Sequence, residues 1–436
     1  MTTLPVNVLQ TVQTYQKAEL AWLLNSFVGI SKANKKFRNF NDLTANLGDT
    51  VTFDRGPRFI SYSSLVITEQ PSTQLVQNLI CSQSANISQA YTDQQFIFNV
   101  RDYMDRFGKA AIMELGSYVE SDILKNITSS VTGIDDSTSQ INSGPFRFYG
   151  DGSTPINSYQ QLAQAVANFK DFGAAPNDMM AILPLADIPA IIGTGLNQFA
   201  MTRNNEDAMS WELGKFAYTD WYTSNLLPTQ TSGTIGAESY PDNIITVVSV
   251  NDSTGSNITA ISFTEPTSGT ETYAIEAGDL IQFIDTSGYT DLRFLTYIGH
   301  NQSQQYVQVR ATAAAATTSG AFTVDIQTTN GVGLCSLGTS PNQNINTSIV
   351  AGMTAMVTPS HRAGVLMSGN QFYLAMPRLP DESPFTTVNT VDPESGCAIR
   401  HYFGSQFGRN NRAYVRDTIW GSTLVSENSM RLVFPL

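Results

Sequence analysis

The chain has 436 residues and a formal net charge of −13, with 41% hydrophobic but only 14% charged side chains. That apolar content supports real cores and excludes a disordered chain, and the length fits two or three domains or one domain with large insertions. The acidic excess sits wholly in the middle: residues 131–300 hold 5 basic and 19 acidic side chains, against 11 and 11 in residues 1–130 and 8 and 7 in residues 301–436, which argues against nucleic-acid binding there. Ser, Thr, Asn and Gln take the place of the missing charge. Such a surface suits a subunit that lives against copies of itself, and equally a β-rich monomer. Cys81, Cys335 and Cys397 are odd in number and far apart, so they make no disulfide framework and fit a reducing compartment. The start, MTTLPVNVLQTVQTYQ, lacks a basic segment followed by an apolar core, so no signal peptide is expected. No apolar run approaches the roughly 18 residues of a span, so no membrane partner is expected.

Residues 6–30 read as one amphipathic helix, with Val8, Leu9, Val12, Ala18, Leu20, Leu23, Leu24 and Phe27 at helical spacing. A basic cluster follows in SKANKKFRNF: Lys32, Lys35, Lys36 and Arg38 form either a solvated face or a contact with an acidic partner. In LGDTVTFDRGPRFISYSSLVITEQ, residues 47–70, alternation from Thr50 to Phe53, the Gly56-Pro57 turn and a β-prone run from Phe59 predict a two-stranded ribbon. Neither face of it is apolar enough to bury itself, so it needs a neighbour to lie on. After the extended run ISQAYTDQQFIFNV comes the longest expected helix, Arg101 to Ile127, about 40 Å at 1.5 Å per residue. Phe107, Ala111, Leu115, Val119, Ile123 and Ile127 recur every four residues along it, with Met104 and Tyr118 beside them.

Ser158 caps a second helix, SYQQLAQAVANFKDF, which stops at Gly173. APNDMMAILPL then reads as a turn into a buried strand, ADIPAII as a short helix, and WELGKFAYTDWYTSNLLP as strands, together an α/β block. From about Thr234 to Thr358, Gly, Thr and Ser rise, and short β runs such as NIITVVSV, DLIQFID and AFTVDIQ alternate with turn clusters, which predicts an antiparallel barrel or sandwich. Within it ATAAAATTSGA reads as a flexible loop. GVLMSGNQFYLAMPRLP and CAIRHYFGSQFGRNNRAYVRDTIWGSTLV return to a helix-and-hairpin texture. The pattern is an all-β module inserted in an α+β parent.

Chemistry is sparse. His300, His361 and His401 stand in separate segments without an HExxH pattern, and no nucleophile elbow, phosphate loop or paired C-x-x-C occurs. GTGLNQ at Gly193 lacks the third glycine of a dinucleotide loop, and Asp135-Asp136 and Glu206-Asp207 read as surface charge. No catalytic residue, cofactor or metal ligand is therefore expected, and the chain does not read as an enzyme. A hydrolase would need a cluster drawn from the separate histidines. Arg55, Arg58 and Phe59 in the ribbon, and Arg409, Arg412 and Arg416 near the end, are instead the candidates for intersubunit contacts.

This order resembles the major capsid proteins of tailed bacteriophages, in particular the short-tailed-phage type with an inserted telokin-like β-barrel. GDTVTFDRGPRF is similar to the family's ribbon opening, with Gly56 where a second proline is usual. RDYMDRFGKAAIMELGSYVESDIL is similar to its spine helix. FYLAMPRLP followed by VDPESGCAIRHYFGSQFGRNNRAYVRDTIWG resembles its closing pattern, an aromatic strand, a D-P-x-S-G turn and a hairpin ending in an apolar-Gly step. The resemblance implies an N-terminal arm (1–41), an extended β-ribbon loop (42–100), spine helix and peripheral domain (101–150), an axial domain (151–233), the inserted barrel (234–358) and a return to axial and peripheral domains (359–436). It implies self-assembly through pentamers and hexamers into an icosahedral virion shell around double-stranded DNA. A scaffolding protein, a portal and a decoration protein are the partners it brings with it. Lys32, Lys35, Lys36 and Arg38 would then meet scaffold or genome on the inner face. The competing reading is a β-rich adhesin or virion fibre protein, which explains the barrel but neither the long helix nor the closing hairpin.

Overall fold

The computed structural model describes residues 7–35, 50–55, 58–61, 69, 75–92, 108–129, 144–172, 178–196, 214–238, 241–264, 273–285, 288–289, 291–317, 320–327, 333–381, 386–405 and 411–436. The chain is α+β and groups into two compact units. The first comprises Met1–Val51, Leu79–Leu124 and Phe372–Ser422, the second Thr52–Asn78, Lys125–Gln371 and Thr423–Leu436.

The first unit is built around the long helix, described over Lys109–Thr128; the earlier part of its expected span, 101–107, lies outside the described residues. The four-residue apolar period has the predicted effect. Ala111, Ile112, Leu115, Val119 and Ile123 are buried, while Met113 and Tyr118 are exposed. The amino-terminal helix buries Leu20, Leu23 and Leu24. The single helix expected over 6–30 is in fact two, Asn7–Asn25 and Val28–Lys32. Phe27 breaks them apart with extended backbone, φ −121° and ψ 140°.

A five-stranded sheet completes this unit. Asn411–Leu424 pairs on one side with Ala398–Ser405, which in turn pairs with Thr386–Val391. On its other side lies Gln83–Thr92, antiparallel from Asn411 opposite Thr92 to Trp420 opposite Gln83. The D-P-x-S-G stretch is a turn, in which the Asp392 carboxylate accepts from the Ser395 amide at 2.9 Å and Gly396 takes φ +70°. Gly421 is required by close approach, since a Cβ there would sit 2.1 Å from the Ile80 carbonyl oxygen. The ribbon differs from expectation: Thr50–Arg55 pairs with Leu75–Ile80 rather than with a strand beginning at Phe59.

The second unit contains a seven-stranded sheet in the order Phe148–Tyr149, Ser429–Pro435, His361–Ser368, Met179–Pro184, Thr219–Ser224, Lys215–Phe216, with Thr229–Gln230 also on His361–Ser368. Every residue of Met179–Pro184 is buried, as an unbroken apolar run demands. Helix Tyr159–Asp171 lays Leu162, Ala165, Val166 and Phe169 on this core, and its cap is the predicted Ser158, whose side chain accepts from the Gln161 amide. Gly173 lies outside the described residues. Where helix was expected after residue 359, the described residues form strands and short 3-10 turns. Ala363–Met367 is buried on both faces, so its apolar run is a central strand.

A six-stranded antiparallel sheet is drawn entirely from residues 244–357: Gln308–Arg310, Leu280–Phe283, Thr354–Val357, Ile244–Val250, Ala260–Thr264 and Ala321–Asp325 in that order. Its core continues into the rest of the unit, because Phe146 and Phe172 both pack edge-on against Phe294, at 5.7 and 5.9 Å between ring centroids. The alanine-rich run expected as a loop instead supplies strand Ala315–Thr317, which pairs with Tyr273–Ile275. Backbone pairing there satisfies groups that small side chains cannot shield.

Candidate functional site

Several elements of both units are held in place by buried charges. In the first unit Glu120 projects from the long helix to the start of Val28–Lys32, where its carboxylate accepts from the amides of Gly29 at 2.7 Å and Ile30 at 2.9 Å. The break at Phe27 exposes those amides, and a carboxylate at a helix start satisfies them. Burial raises the Glu120 pKa, opposed by the same two amides. A residue on the long helix thus caps the chain after the amino-terminal helix.

A second cluster fixes that amino-terminal helix to the sheet. The Arg416 guanidinium donates to Glu19 from Nη2 at 2.8 Å and Nε at 3.1 Å, and to Gln89 Oε1 from Nη1 at 3.0 Å. Tyr414 donates its hydroxyl to the same carboxylate at 3.3 Å and lies 2.8 Å from His401 Nδ1. Burial first, and then Arg416, hold the His401 pKa down to about 3, so the ring is neutral at any working pH. This corrects the expectation for Arg416. It is fully buried with its partner inside its own unit, so its guanidinium has no route to a neighbouring subunit. On the adjoining strand Arg400 makes a forked pair with Asp417, its direct cross-strand neighbour.

In the second unit Arg431 gathers carbonyls from three places. It donates to Thr128 at 2.8 Å and to Ser129, at the end of the long helix, and to Gly278, in the turn before strand Leu280–Phe283, at 3.1 Å. Helix-end carbonyls lack partners of their own, and a guanidinium is suited to collect them. Burial lowers its pKa to about 9, with Arg310 adding to the effect and Asp279 opposing it. Asp279 accepts from Gln230 Nε2 at 3.1 Å and from the Gly233 and Glu276 amides at 2.9 Å, yet burial lifts its pKa to about 6. His361, buried and near Arg431, is depressed to about 3.

These two groups act in opposite directions. Between its folded pKa near 3 and an ordinary 6.5, His361 is charged only when unfolded, so its contribution falls as the pH falls. Asp279 binds its proton more tightly when folded, between an ordinary 3.8 and about 6, so its contribution rises as the pH falls. Over pH 4 to 6 they cancel. Asp279→Asn is therefore expected to expose the histidine alone, giving the second unit an added stability slope of about 1.4 kcal/mol per pH unit in urea unfolding at pH 4, 5 and 6. Parallel pH profiles for the two proteins would show that the groups do not titrate in this way.

The other expected contacts are placed as follows. Arg58 donates to the Tyr297 and Gln343 carbonyls at 3.2 and 3.4 Å and lies over the Tyr297 ring at 4.6 Å. Phe59 beside it is 58% exposed. Arg55 ends strand Thr50–Arg55, and Arg412 sits in register between Tyr91 and Ser405. Lys32 is exposed, whereas Lys35 is partly buried, its pKa lowered by burial against the pull of Cys397, Asp392 and Glu120. Lys36, Arg38 and Arg409 lie outside the described residues. Among the described residues no group of three His, Cys, Asp or Glu side chains could hold a metal ion. Glu19, Glu120, Asp279 and Arg431 were not singled out by the sequence, although Arg431 is a charge within the apolar stretch SMRLVFP.

No protein-family model matches the chain, and no curated protein does. Among solved structures it is similar to one of Mycobacterium phage Che8, with 7% identity, 93% of this chain and 90% of that chain covered, and a TM-score of 0.44. It is similar also to the capsid asymmetric unit of Cyanophage Pam1, with 10% identity, 91% and 87% covered, and a TM-score of 0.42. The capsid of Ralstonia phage GP4 gives 10% identity, 89% and 84% covered, and a TM-score of 0.40. At these values they are likenesses in the course of the chain and carry no function across to it.

Proposed function

We propose that this chain is the coat subunit of a tailed-phage shell, closing with copies of itself through pentamers and hexamers around packaged double-stranded DNA. The observation that carries the reading is the ribbon Thr50–Arg55 with Leu75–Ile80, which runs on through Gln83–Thr92 into the ladder with the closing hairpin. A two-stranded ribbon has little stability of its own, and its natural support is the surface of a neighbour. The sheet into which Gln83–Thr92 runs is itself tied to its helices by the Glu19–Arg416 and Glu120 contacts. Closed rings need heterologous contacts of this kind, a projecting element on one copy and a receiving surface on the next. The motifs GDTVTFDRGPRF and VDPESG…IWG support the same reading through their resemblance to the family.

Arg55, Phe59, Arg409 and Arg412 are proposed as contacts with the neighbouring copy. The basic stretch Lys32, Lys35, Lys36 and Arg38 is proposed to face scaffold or genome on the inside, and portal and decoration proteins are the further partners of this reading. Deleting Gly48–Gln70 is expected to leave a soluble, folded subunit that no longer yields closed particles. The check is sedimentation followed by negative-stain electron microscopy of wild type and deletion, each expressed with its neighbouring genes. Closed shells from the deletion would remove the role given to the ribbon, and a wild type that stays monomeric throughout would remove the coat-subunit reading itself.

A further inference from the structure

We propose that the hairpin tip Ala217–Tyr218, with Lys170 and Lys215 at its sides, docks on the acidic surface of a second copy of this chain. The inference rests on the coat-subunit reading and names one contact within its rings. Backbone strain marks the tip. Strand Lys215–Phe216 turns directly into Thr219–Ser224, with Phe216 opposite Thr219, so the loop has only two residues. Both lie in the left-handed region, Ala217 at φ 50° and Tyr218 at φ 62°. A two-residue turn of this kind favours Asn-Gly, because a Cβ is penalised at each position. Alanine and tyrosine hold it at a cost, and such strain is retained where function requires the side chain.

Tyr218 is 81% exposed, the highest value for a large hydrophobic side chain among the described residues. Its mounting is firm all the same. The neighbouring Phe216 ring is stacked on Trp221 at 4.8 Å and meets Tyr159 edge-on at 5.2 Å. Trp221 Nε1 donates to the Phe216 carbonyl at 3.1 Å. From helix Tyr159–Asp171, Lys170 places its ammonium 4.4 Å from the Tyr218 ring centroid. An aromatic ring held outward on a rigid base is a typical anchor of a protein interface.

Charge identifies the partner. Residues 131–300 carry 19 acidic side chains and 5 basic ones, and two of those five are Lys170 and Lys215. Lys170 lies over the Tyr218 ring, and Lys215 opens the hairpin, exposed and 3.3 Å from Asp220. Of the other three, Arg147 is fully buried, Arg293 is paired with Asp291, and Arg203 lies outside the described residues. The tip is therefore a basic, aromatic spot in an acidic region whose exposed carboxylates include Asp151, Asp178, Glu238 and Asp242. One copy's tip and another copy's acidic surface complement each other. Because the two surfaces differ, the contact is heterologous, as a closed ring requires.

The test uses the full chain expressed with its neighbouring genes, comparing wild type with the double variant Ala217→Asn, Tyr218→Gly and with Lys170→Glu. The double variant is expected to melt about 2–4 °C higher as the unassembled subunit, because the strain is gone. Its yield of closed particles in sedimentation is nevertheless expected to fall about tenfold. Lys170→Glu is expected to lower that yield by about the same factor at a nearly unchanged melting temperature. With p-benzoylphenylalanine in place of Tyr218, irradiated particles are expected to give covalent dimers joined within residues 131–300 of the second copy. Wild-type yields from both variants, or crosslinks only to a different protein, remove this contact and leave the coat-subunit reading standing. A double variant that melts no higher than wild type removes the strain from which the contact is inferred, and the proposal with it. A wild type that forms no particles removes both readings.

Discussion

Replacing Arg431 by methionine is expected to lower the stability of the second unit by about 3–5 kcal/mol, the usual result of removing one partner from a buried charged network. The loss has several sources that cannot be repaired locally. Arg431 is fully buried, and the carbonyls of Thr128, Ser129 and Gly278 all converge on its guanidinium. Methionine fills the volume but offers them nothing, and no water-facing path lets them turn outward. Asp279 loses the one opposing charge that holds its pKa down. Lysine at the same position keeps the charge without the fork and is expected to recover about half of the loss. Urea unfolding of the second unit, followed by Trp221 fluorescence, measures both. An Arg431→Met protein within 1 kcal/mol of wild type would mean that these carbonyls find other donors, and the hub described above would not exist.

Periodicity made the long helix, the helix after Ser158, the buried strand MMAILP and the strands of residues 244–357 legible, because each has a run of apolar residues at one clear spacing. Where the sequence misled, the cause was tertiary. The amino-terminal pattern is helical throughout, yet Phe27 breaks it because Glu120, more than ninety residues on, offers a better partner for the freed amides. The alanine run offers few strand-forming side chains, but Tyr273–Ile275 gives its backbone a ladder.

The candidate contacts were less legible still. Arginines were judged by their position near turns, which cannot distinguish Arg416, sealed in the core, from Arg412 four residues before it. One signal was available. Arg431 stands inside SMRLVFP and Arg416 inside AYVRDTIW, each flanked by residues that alternate or run apolar, and an arginine there is either buried with a partner or interrupts the strand. The identity of the partner, Glu19 or the end of a distant helix, lies hundreds of residues away and leaves no local trace.

The largest effect in the first unit is expected at that same pair. Arg416→Met leaves the Glu19 carboxylate at 2% exposure without its cation, and Glu19→Leu leaves the guanidinium fully buried without its anion. Each single change is expected to cost about 3–5 kcal/mol. The double variant Glu19→Leu with Arg416→Met removes both desolvated charges and fills the space with apolar atoms, so it is expected within about 1 kcal/mol of wild type. Tyr414 and His401 set the limit of that recovery, because the hydroxyl loses its Glu19 acceptor at 3.3 Å while it stays 2.8 Å from the imidazole nitrogen. Guanidinium unfolding of the four proteins closes the cycle, with limited proteolysis reporting release of the Asn7–Asn25 helix. Singles that each cost 3 kcal/mol beside a double that costs the sum would show two independent defects instead of one ion pair. The amino-terminal helix would then be held to the sheet by its leucines, and the charges beneath it would be incidental.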